Sequence, residues 1–382
     1  MSYSPTQGDD SDPSGSYPGL PSRFMDSASG MPLSGAARTA LAGAWSAGWP
    51  DPQRRYRQGR QARRLLDTAR ASVAAHFGVP GAGVFFTGGF DDAVGLAVSA
   101  CGPGPLLVSA VEELVVLRTA DLWAGRGVPM SVLPVDGSGC VDVDAVPTDF
   151  AGFLVVQDGN IEIGTRQPLA RIRAAAPAAT LVVDLRAVAG RSDTFPDFDI
   201  AVADATMWGG PPVGVVLVRS PHTFRPAVPR TEGHGGIESA HPAVALIAAA
   251  ALALEDRDPG WGALRAVSDE LRTSLATIPN SAVVGHPHHR LGYLTMVTFL
   301  YVAADELVDG LAARGWAVAS GASCTSDTQR PHHVLVAIGA STHGSLRLSL
   351  APGADSALVA DLVSDVRGLV ASLRAEAGTD DL

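Results

Sequence analysis

The sequence predicts an α/β protein with a mostly parallel sheet covered by helices on both faces, followed by a smaller α+β domain. Two observations indicate this. Short apolar or β-branched runs alternate with helical patterns up to about residue 218, and from about residue 242 the pattern changes. With 382 residues, 46% of them hydrophobic, and 42 glycines, the chain is long enough to bury a large core.

Seven short runs in the first part of the chain predict the strands of the large sheet. Helical patterns lie between them, for example over 62–77 and 91–100, and this alternation is typical of parallel strands joined by crossover helices. The predicted strands are VFF (84–86), LLVS (106–109), MSVLP (130–134), FLVVQ (153–157), TLVVD (180–184), IAVAD (200–204) and GVVLV (214–218).

The second part of the chain begins with two long predicted helices, over 242–256 and 262–277. The elements predicted after them are a strand (293–301), a helix (304–315), a strand (316–319), a helix (331–339), a strand (345–350) and a helix (357–376). We therefore predict three segments. Residues 1–22, rich in Ser, Pro, Gly and Asp, form a disordered tail. Residues 23–241 form the large domain, whose first residues pack on the small one, and 242–382 form a helical connection and the small domain.

Composition excludes several classes of function. The formal charge of −11 argues against nucleic acid or an anionic membrane as a partner. The apolar run at 245–254 is too short to span a bilayer, and the first residues lack the features of a signal peptide. Three cysteines, Cys101, Cys140 and Cys324, form no close pair, which favours a reducing cytoplasm over a disulfide framework.

Three stretches resemble motifs of one enzyme family. FMDSASGMP (24–32) is similar to its opening motif, and residues 49–70 to the segment that follows. The longest match is SGASCTSDTQRPHHVLVAIG (320–339) with SLRLSL (345–350). From about residue 24 to 375, the chain resembles the cysteine desulfurases and class V aminotransferases. The resemblance implies a PLP-dependent transferase fold of type I, aspartate-aminotransferase-like, with a seven-stranded sheet and a small C-terminal domain. It also implies a dimer with active sites near the subunit interface.

The resemblance assigns roles to two residues that this chain retains. Cys324 matches the cysteine that receives sulfur as a persulfide, and Arg347 matches the arginine that binds the substrate carboxylate. Each also has a plainer interpretation. Cys324 can be an inherited loop cysteine without a present role, and Arg347 can form a structural salt bridge.

The clearest departure from the family concerns its catalytic lysine. The combined count of Lys and Arg is 28, and all 28 of these residues are arginine, so the chain contains no lysine. Counting back from Gly210 and Pro211, Met207 stands at the lysine position, and Thr206 stands where the family has histidine. Because only an amine can form the imine with pyridoxal phosphate (PLP), the family's reaction is unavailable to this chain alone.

Other positions of the implied cofactor pocket have changed as well. A carboxylate about 5 Å from a phosphate costs roughly 3 kcal/mol at an effective dielectric of about 20. Asp91 replaces the phosphate-binding threonine, and an acidic residue also stands in the segment 238–241 that is similar to the neighbouring subunit's phosphate contact. The other pocket positions are Gly89 (retained), Glu113 (for the stacking histidine), Ile161 (for asparagine), Asp184 (retained, matching the pyridine-nitrogen partner) and Ala187 (for glutamine). We therefore expect no cofactor, with PLP lost.

Alternative uses of these side chains stay open. Asp184 can pair with Arg186 instead of a cofactor. The carboxylates Asp91, Asp92, Glu113 and Glu162 can form an acidic pocket for a cation or amine, or can be unconstrained drift. The histidines at 286–289 and 332–333 lack cysteine or carboxylate at ligand spacing, so we predict no metal site.

Three functions remain. The first is sulfur transfer by a desulfurase homologue that has lost PLP chemistry, with Cys324 as persulfide acceptor, with an active desulfurase as partner, or both. The second is a PLP-independent enzyme with Cys324 as nucleophile. The third is a non-catalytic scaffold or regulatory subunit. We expect a homodimer, or a heterodimer with an active paralogue, and a sulfur-acceptor protein as a further partner.

Overall fold

The computed structural model describes residues 17, 20–46, 51–102, 104–227, 243–321 and 332–379. Within these ranges, the strands form one seven-stranded sheet and one three-stranded sheet. Cys324 and the segment 238–241 lie outside the described residues, as does most of the tail predicted over 1–22. No helix in the described part of the chain is long and apolar enough to cross a membrane.

The seven-stranded sheet has the order β1-β7-β6-β5-β4-β2-β3. Strands β2 to β6 pair in parallel, whereas β7 runs antiparallel to both β6 and β1. The strands are β1 (Val84–Thr87), β2 (Leu106–Ser109), β3 (Met130–Leu133), β4 (Phe153–Gln157), β5 (Thr180–Asp184), β6 (Ile200–Asp204) and β7 (Gly214–Val218).

Burial on both faces explains why these runs lack the alternation of a half-exposed strand. All five residues of β7 are buried, and its side chains divide between two hydrophobic clusters. Val215 and Leu217 belong to one cluster, and Val216 and Val218 to the other. Helices therefore cover both sides of the sheet, as expected for parallel strands.

Ten α-helices surround the two sheets in the described part of the chain. They are α1 (Gly35–Ser46), α2 (Arg57–Phe77), α3 (Phe90–Ser99), α4 (Leu114–Ala124), α5 (Leu169–Ala175), α6 (Val244–Glu255), α7 (Leu264–Leu275), α8 (Ala304–Ala312), α9 (His333–Ala337) and α10 (Ser356–Glu376). Helix α6 packs on α1 and α2, whereas α3 packs on β6 and β7.

The smaller sheet is antiparallel and has the order β10-β9-β8. Its strands are β8 (Ser281–Val284), β9 (Leu294–Phe299) and β10 (Ser345–Ser349). Helix α10 packs on α7 and α8, so its apolar face closes this unit.

The N-terminal segment joins the two units. The backbone N–H of Met25 donates to Ala317, and the N–H of Ser349 donates to Met25. Met31 donates to the carbonyl of Thr206 in the large unit. Tyr17, which lies inside the predicted tail, is only 5% exposed and belongs to the main core. The predicted boundary near 241 falls among residues that are not described, and it stays a prediction.

The predicted α/β fold with a seven-stranded, mostly parallel sheet is confirmed. One predicted strand is wrong: residues 316–319 form only isolated bridges. The reason is that Ala317 bonds to the N-terminal segment while Ala319 bonds to Arg347, so no continuous ladder forms. Four observed elements were not individually predicted: α1, α4, α5 and β8.

Candidate functional site

The candidate site lies at the edge of the large sheet where its parallel strands end, next to strand β10 of the small sheet. Gln157 ends β4 and Asp184 ends β5, and the two are partners in the parallel register. Glu112 and Glu113 follow β2, which also pairs with β4. Because carboxyl ends of parallel strands share one edge, these polar groups converge there. A cavity of about 400 Å³ lies at this edge, and β10 contributes Arg347 to its lining.

Arg186 forms the centre of the first charged group at this edge. Its Nη2 donates to Asp184 Oδ2 at 3.1 Å and to Glu113 Oε2 at 2.9 Å. The side chains of Arg186 and Asp184 are only 12% and 5% exposed. The guanidinium carbon lies 3.5 Å from the ring centroid of Phe90, the first residue of α3. Asp184 is therefore paired with Arg186, as one of the two alternatives predicted.

Glu113 and Asp184 respond differently to this shared cation. Burial raises the pKa of the Asp184 carboxyl, and its contacts with Arg186 only partly offset that rise. Burial also opposes ionisation of Glu113, but the charge and hydrogen bond of Arg186 outweigh it, so the pKa of Glu113 is lowered. The pKa of Arg186 itself is raised, because the two carboxylates outweigh its loss of hydration.

Arg347 forms the second charged group. It is buried, and its Nη1 donates to Glu162 Oε1 at 2.7 Å while Nη2 donates to Asp26 Oδ1 at 3.0 Å. It also contacts the hydroxyl of Ser29 and the carbonyl of Ile161. This is the structural salt bridge of the sequence analysis. A role for Arg347 in binding a substrate carboxylate stays a prediction, and it requires the ligand to displace Glu162 or Asp26.

Glu112 and the paired histidines complete the lining. Glu112 is fully buried, and its Oε1 accepts from the backbone N–H of Gln157 at 3.0 Å. Burial raises the pKa of its carboxyl well above the usual range. His332 Nε2 lies 3.7 Å from Glu162 Oε2, and His333 Nε2 lies 2.7 Å from the carbonyl of Glu112. Burial lowers the pKa of His332 to about 4, so this ring is neutral near pH 7.

Met207, the residue predicted to stand at the position of the catalytic lysine, is a buried thioether. Met207 is 3% exposed and lies in a short 3-10 helix, Ala205–Trp208, directly after β6. The Asp204 side chain caps this turn by accepting from the N–H of Thr206 at 3.0 Å. Arg191 donates to the carbonyl of Met207 at 3.3 Å. Hydrogen bonds with Asp204 and Arg191 therefore stabilise this turn, and none of them involves an amine side chain.

The segment matching the phosphate-binding turn leads into α3. Gly89 is the N-cap, and a Cβ added to it would meet no atom within 4 Å. Asp91 and Asp92 are exposed in the first helical turn, outside the lining of the cavity. Their negative charge complements the positive end of the helix dipole, the same feature that would attract a phosphate. Of the predicted acidic pocket, the structure therefore brings together Glu113 and Glu162 only.

Ala187 and Ile161 are apolar residues at two positions where the family resemblance implies a polar side chain. Ala187 is buried, and its carbonyl accepts from the Tyr293 hydroxyl at 2.9 Å. Ile161 lines the cavity and is partly buried. Cys324 lies outside the described residues, but Ser320 and His332, on either side of its segment, both line the cavity.

A second cavity, of about 960 Å³, lies away from these groups, beside the 286–289 loop. Its lining includes His286, His288, His289 and Cys140. Among the described residues, however, no group of three or more His, Cys, Asp or Glu side chains could hold a metal ion.

The two ion-pair networks were not predicted from the sequence. The pairing of Asp184 with Arg186 was one predicted alternative, but Glu113 as the second acceptor and Phe90 beneath the guanidinium were not predicted. A signal was present, since an arginine two residues after a buried strand requires a counterion if it is buried too. The contact of Arg347 with Glu162 had no such signal, because 185 residues separate the two in sequence.

Glu162 gives the site a testable pH dependence. Burial raises its pKa to about 7, with the nearby Glu113 and Asp26 adding to the rise and Arg347 opposing it. A raised carboxyl pKa stabilises the fold fully below about pH 4.5, and this contribution disappears as the pH rises through about 7. We expect Glu162→Gln to gain about 2–3 kcal/mol of unfolding free energy, relative to wild type, between pH 5 and pH 8.

Urea unfolding of both proteins across this pH range measures the difference, because other titrating groups cancel in the comparison. Glu306→Gln, on the exposed side of α8, is the matched control. A constant difference between Glu162→Gln and wild type from pH 5 to pH 8 would contradict the prediction.

Comparison with known proteins identifies the family. No protein-family model matches the chain. The cysteine desulfurase of Cereibacter sphaeroides is 30% identical over 349 residues, which cover 85% of this chain and 89% of that protein. Cysteine desulfurase IscS 1 of Archaeoglobus fulgidus is 27% identical over 350 residues, covering 86% and 91%. A solved NifS-like protein superposes with a TM-score of 0.81, covering 91% and 99%, and at 19% identity it supports the fold alone.

Alignment over most of both chains, together with the shared fold, leads to one conclusion. The chain belongs to the cysteine desulfurase (IscS/NifS) family.

Proposed function

We propose that this protein is a cysteine desulfurase homologue that has lost PLP chemistry and acts in sulfur transfer. Cys324 is the persulfide acceptor in this proposal, and an active desulfurase is the sulfur donor and partner. The single observation that carries the proposal is Met207, a buried thioether where the family's reaction requires an amine.

The side chains at the pocket positions that the family resemblance implies do not fit PLP. The chain contains no lysine to form the imine. Asp184, which would pair with the pyridine nitrogen, is paired with Arg186. Glu113 stands at the position of the stacking ring and holds the same guanidinium. Asp91 adds a negative charge at the helix end where a phosphate would bind. These features support the loss of the cofactor, and no step of the proposed function passes through it.

Sulfur transfer to Cys324 requires neither PLP nor an oxidant. The Cys324 thiolate attacks the terminal sulfur of a cysteine persulfide on the donor. The donor's S–S bond breaks, a new S–S bond forms on Cys324, and the donor cysteine leaves as a thiolate. The numbers of electrons and sulfur atoms are conserved. The cavity between Ser320 and His332 supports this use, because both ends of the Cys324 segment meet it.

A dimeric arrangement is part of the proposal. Apolar side chains are exposed on the helical layer formed by α1, α2 and α6. Trp45 is 62% exposed, Tyr56 54%, Leu65 42% and Leu252 41%. A second copy of this chain or a lysine-bearing paralogue that packed on this layer would bury these side chains.

One observation favours a second candidate function, a PLP-independent reaction with Cys324 as nucleophile. His332 lines the cavity and adjoins the Cys324 segment in sequence, and its Nε2 lies 3.7 Å from Glu162 Oε2, a carboxylate that can orient the ring as a base. Under this alternative His332→Gln abolishes turnover, whereas persulfide transfer from a donor depends less on a base.

The test is persulfide loading of Cys324. We expect incubation with L-cysteine and an active desulfurase, ideally one that co-purifies from the native cell, to add one sulfur to the peptide that contains Cys324. Mass spectrometry of the non-reduced peptide measures the added sulfur. Cys324→Ser should show none. Cys101→Ser is the matched control, because Cys101 is buried and burial raises the pKa of its thiol, which disfavours the reactive thiolate.

Two results would overturn the sulfur-transfer proposal. One is that Cys324 gains no sulfur from any co-purifying desulfurase. The other is that Cys324→Ser fully restores the phenotype of cells that lack this protein. In that case the scaffold or regulatory function takes its place.

A further inference from the structure

Arg186 is surrounded by groups from three separate elements. Asp184 comes from the end of β5, Glu113 is the N-cap residue of α4, and Phe90 opens α3. The two carboxylates lie 3.1 and 2.9 Å from the same Nη2 atom, and the Phe90 centroid lies 3.5 Å from the guanidinium carbon. A planar cation thus sits between two acids with an aromatic ring on one face.

The charge of this cation cannot be removed near neutral pH, because a guanidinium keeps its proton in proteins. Without it, Asp184 and Glu113 would face each other as buried like charges. The Glu113 side chain is 30% exposed and that of Asp184 only 5% exposed, so water could compensate little at Asp184. Arg186 is therefore a constant part of the folded site.

The positions of Asp184 and Glu113 relate this ion-pair network to the cofactor pocket of the family. By the family resemblance, Asp184 is the partner of a ring nitrogen, and Glu113 stands where a side chain stacks on that ring. A guanidinium shares two properties with a protonated pyridine: it is planar, and it donates N–H to a carboxylate.

Building on the loss of PLP chemistry proposed above, we propose that Arg186 is an internal replacement for the cofactor's ring. Its guanidinium occupies the space between Asp184 and Glu113 and keeps this pocket filled and neutralised by the chain itself. Removing the side chain should therefore open a site for a small planar cation or a hydroxypyridine.

Chemical rescue of Arg186→Ala tests this. The two probes are ethylguanidinium, which restores the missing group, and pyridoxine, which carries the hydroxypyridine ring without a phosphate. Because pyridoxine has no phosphate, Asp91 does not oppose its binding. We expect millimolar concentrations of either probe to raise the melting temperature of Arg186→Ala by several degrees and to leave that of wild type unchanged.

Arg219→Ala is the matched control. Arg219 also lies over an aromatic ring, 4.5 Å from the Phe198 centroid, and it pairs with Asp197. Its side chain is 40% exposed, so its removal opens no enclosed space and neither probe should stabilise the variant.

If Arg186→Ala does not fold, Arg186→Ala with Glu113→Gln removes one of the two unpaired charges and is tested in the same way. Stabilisation by ethylguanidinium alone would overturn the proposal, since the space would then not accept a ring. Stabilisation by neither probe, or equal stabilisation of Arg219→Ala, would also overturn it. The assay contains no cysteine and no desulfurase, so its failure is separate from a failure of persulfide loading.

Discussion

Purified protein incubated with L-cysteine and added PLP should release neither sulfide nor alanine above a protein-free blank. Cleavage of the Cβ–S bond requires an electron sink, which the cofactor supplies only when it is bound and linked to the substrate. The chain has no lysine, and Met207, the residue predicted to stand at the lysine position, is buried. The expected effect is thus complete loss of activity relative to an active desulfurase.

The same reasoning predicts that the protein is colourless after dialysis and that Met207→Lys alone restores neither colour nor activity. The substitution supplies an amine, but Arg186 still pairs with Asp184, and Glu113 and Asp91 remain. Sulfide assay, amino-acid analysis and a visible absorption spectrum measure these outcomes, with a lysine-bearing desulfurase as the positive control. Sulfide release that scales with protein concentration and persists after a second purification would contradict the prediction.

Arg347→Ala should destabilise the fold by about 3–5 kcal/mol, the usual cost of removing one partner from a buried ion pair. Arg347 is the shared partner of Asp26 and Glu162, and it is 6% exposed. Without it, two carboxylates meet in a buried space. Because the pKa of Glu162 is already raised to about 7, protonation of Glu162 relieves part of this cost, so the loss should be smaller at pH 5 than at pH 8.

Urea unfolding at both pH values measures this effect. Arg314→Ala is the control, because Arg314 pairs with Asp365 at 3.8 Å on the surface with 40% of its side chain exposed. That change should cost less than about 1 kcal/mol. Adding Glu162→Gln to Arg347→Ala should recover part of the lost stability at pH 8. A loss for Arg347→Ala no greater than that for Arg314→Ala would show that the network contributes little.

In both networks, a largely buried arginine is paired with two carboxylates of the same chain. Arg186 neutralises Asp184 and Glu113, and Arg347 neutralises Glu162 and Asp26. A ligand that enters the cavity must displace one of these pairs or contact the remaining polar groups. This explains how the fold retains acidic residues at this edge of the sheet, since buried charges persist when they are paired.

The sequence by itself determined the central strands, the fold class and the absence of the amine. Strands β4, β5, β6 and β7 were predicted at their observed bounds, because runs buried on both faces are mainly β-branched and apolar. Met207 could be located by counting back from Gly210 and Pro211, which is a purely local operation. The missing lysine needed no structure, since it is a property of composition.

Local patterns were insufficient where neighbours decide the outcome. Helix α4 begins Leu-Val-Val-Leu, a run that favours a strand, and its packing on β2 and β3 makes it a helix instead. The predicted strand at 316–319 depended on partners that turned out to be two different segments.

The tertiary structure alone decided what the surviving charges do. Arg347 and Asp26 are 321 residues apart in sequence, and Arg186 and Glu113 are 73 apart, yet each pair is in direct contact. Ion pairing depends on distance and burial, and neither can be read from residue types along a chain. The sequence could therefore show that the catalytic amine is missing, but only the fold shows that a guanidinium has taken a place between the acids.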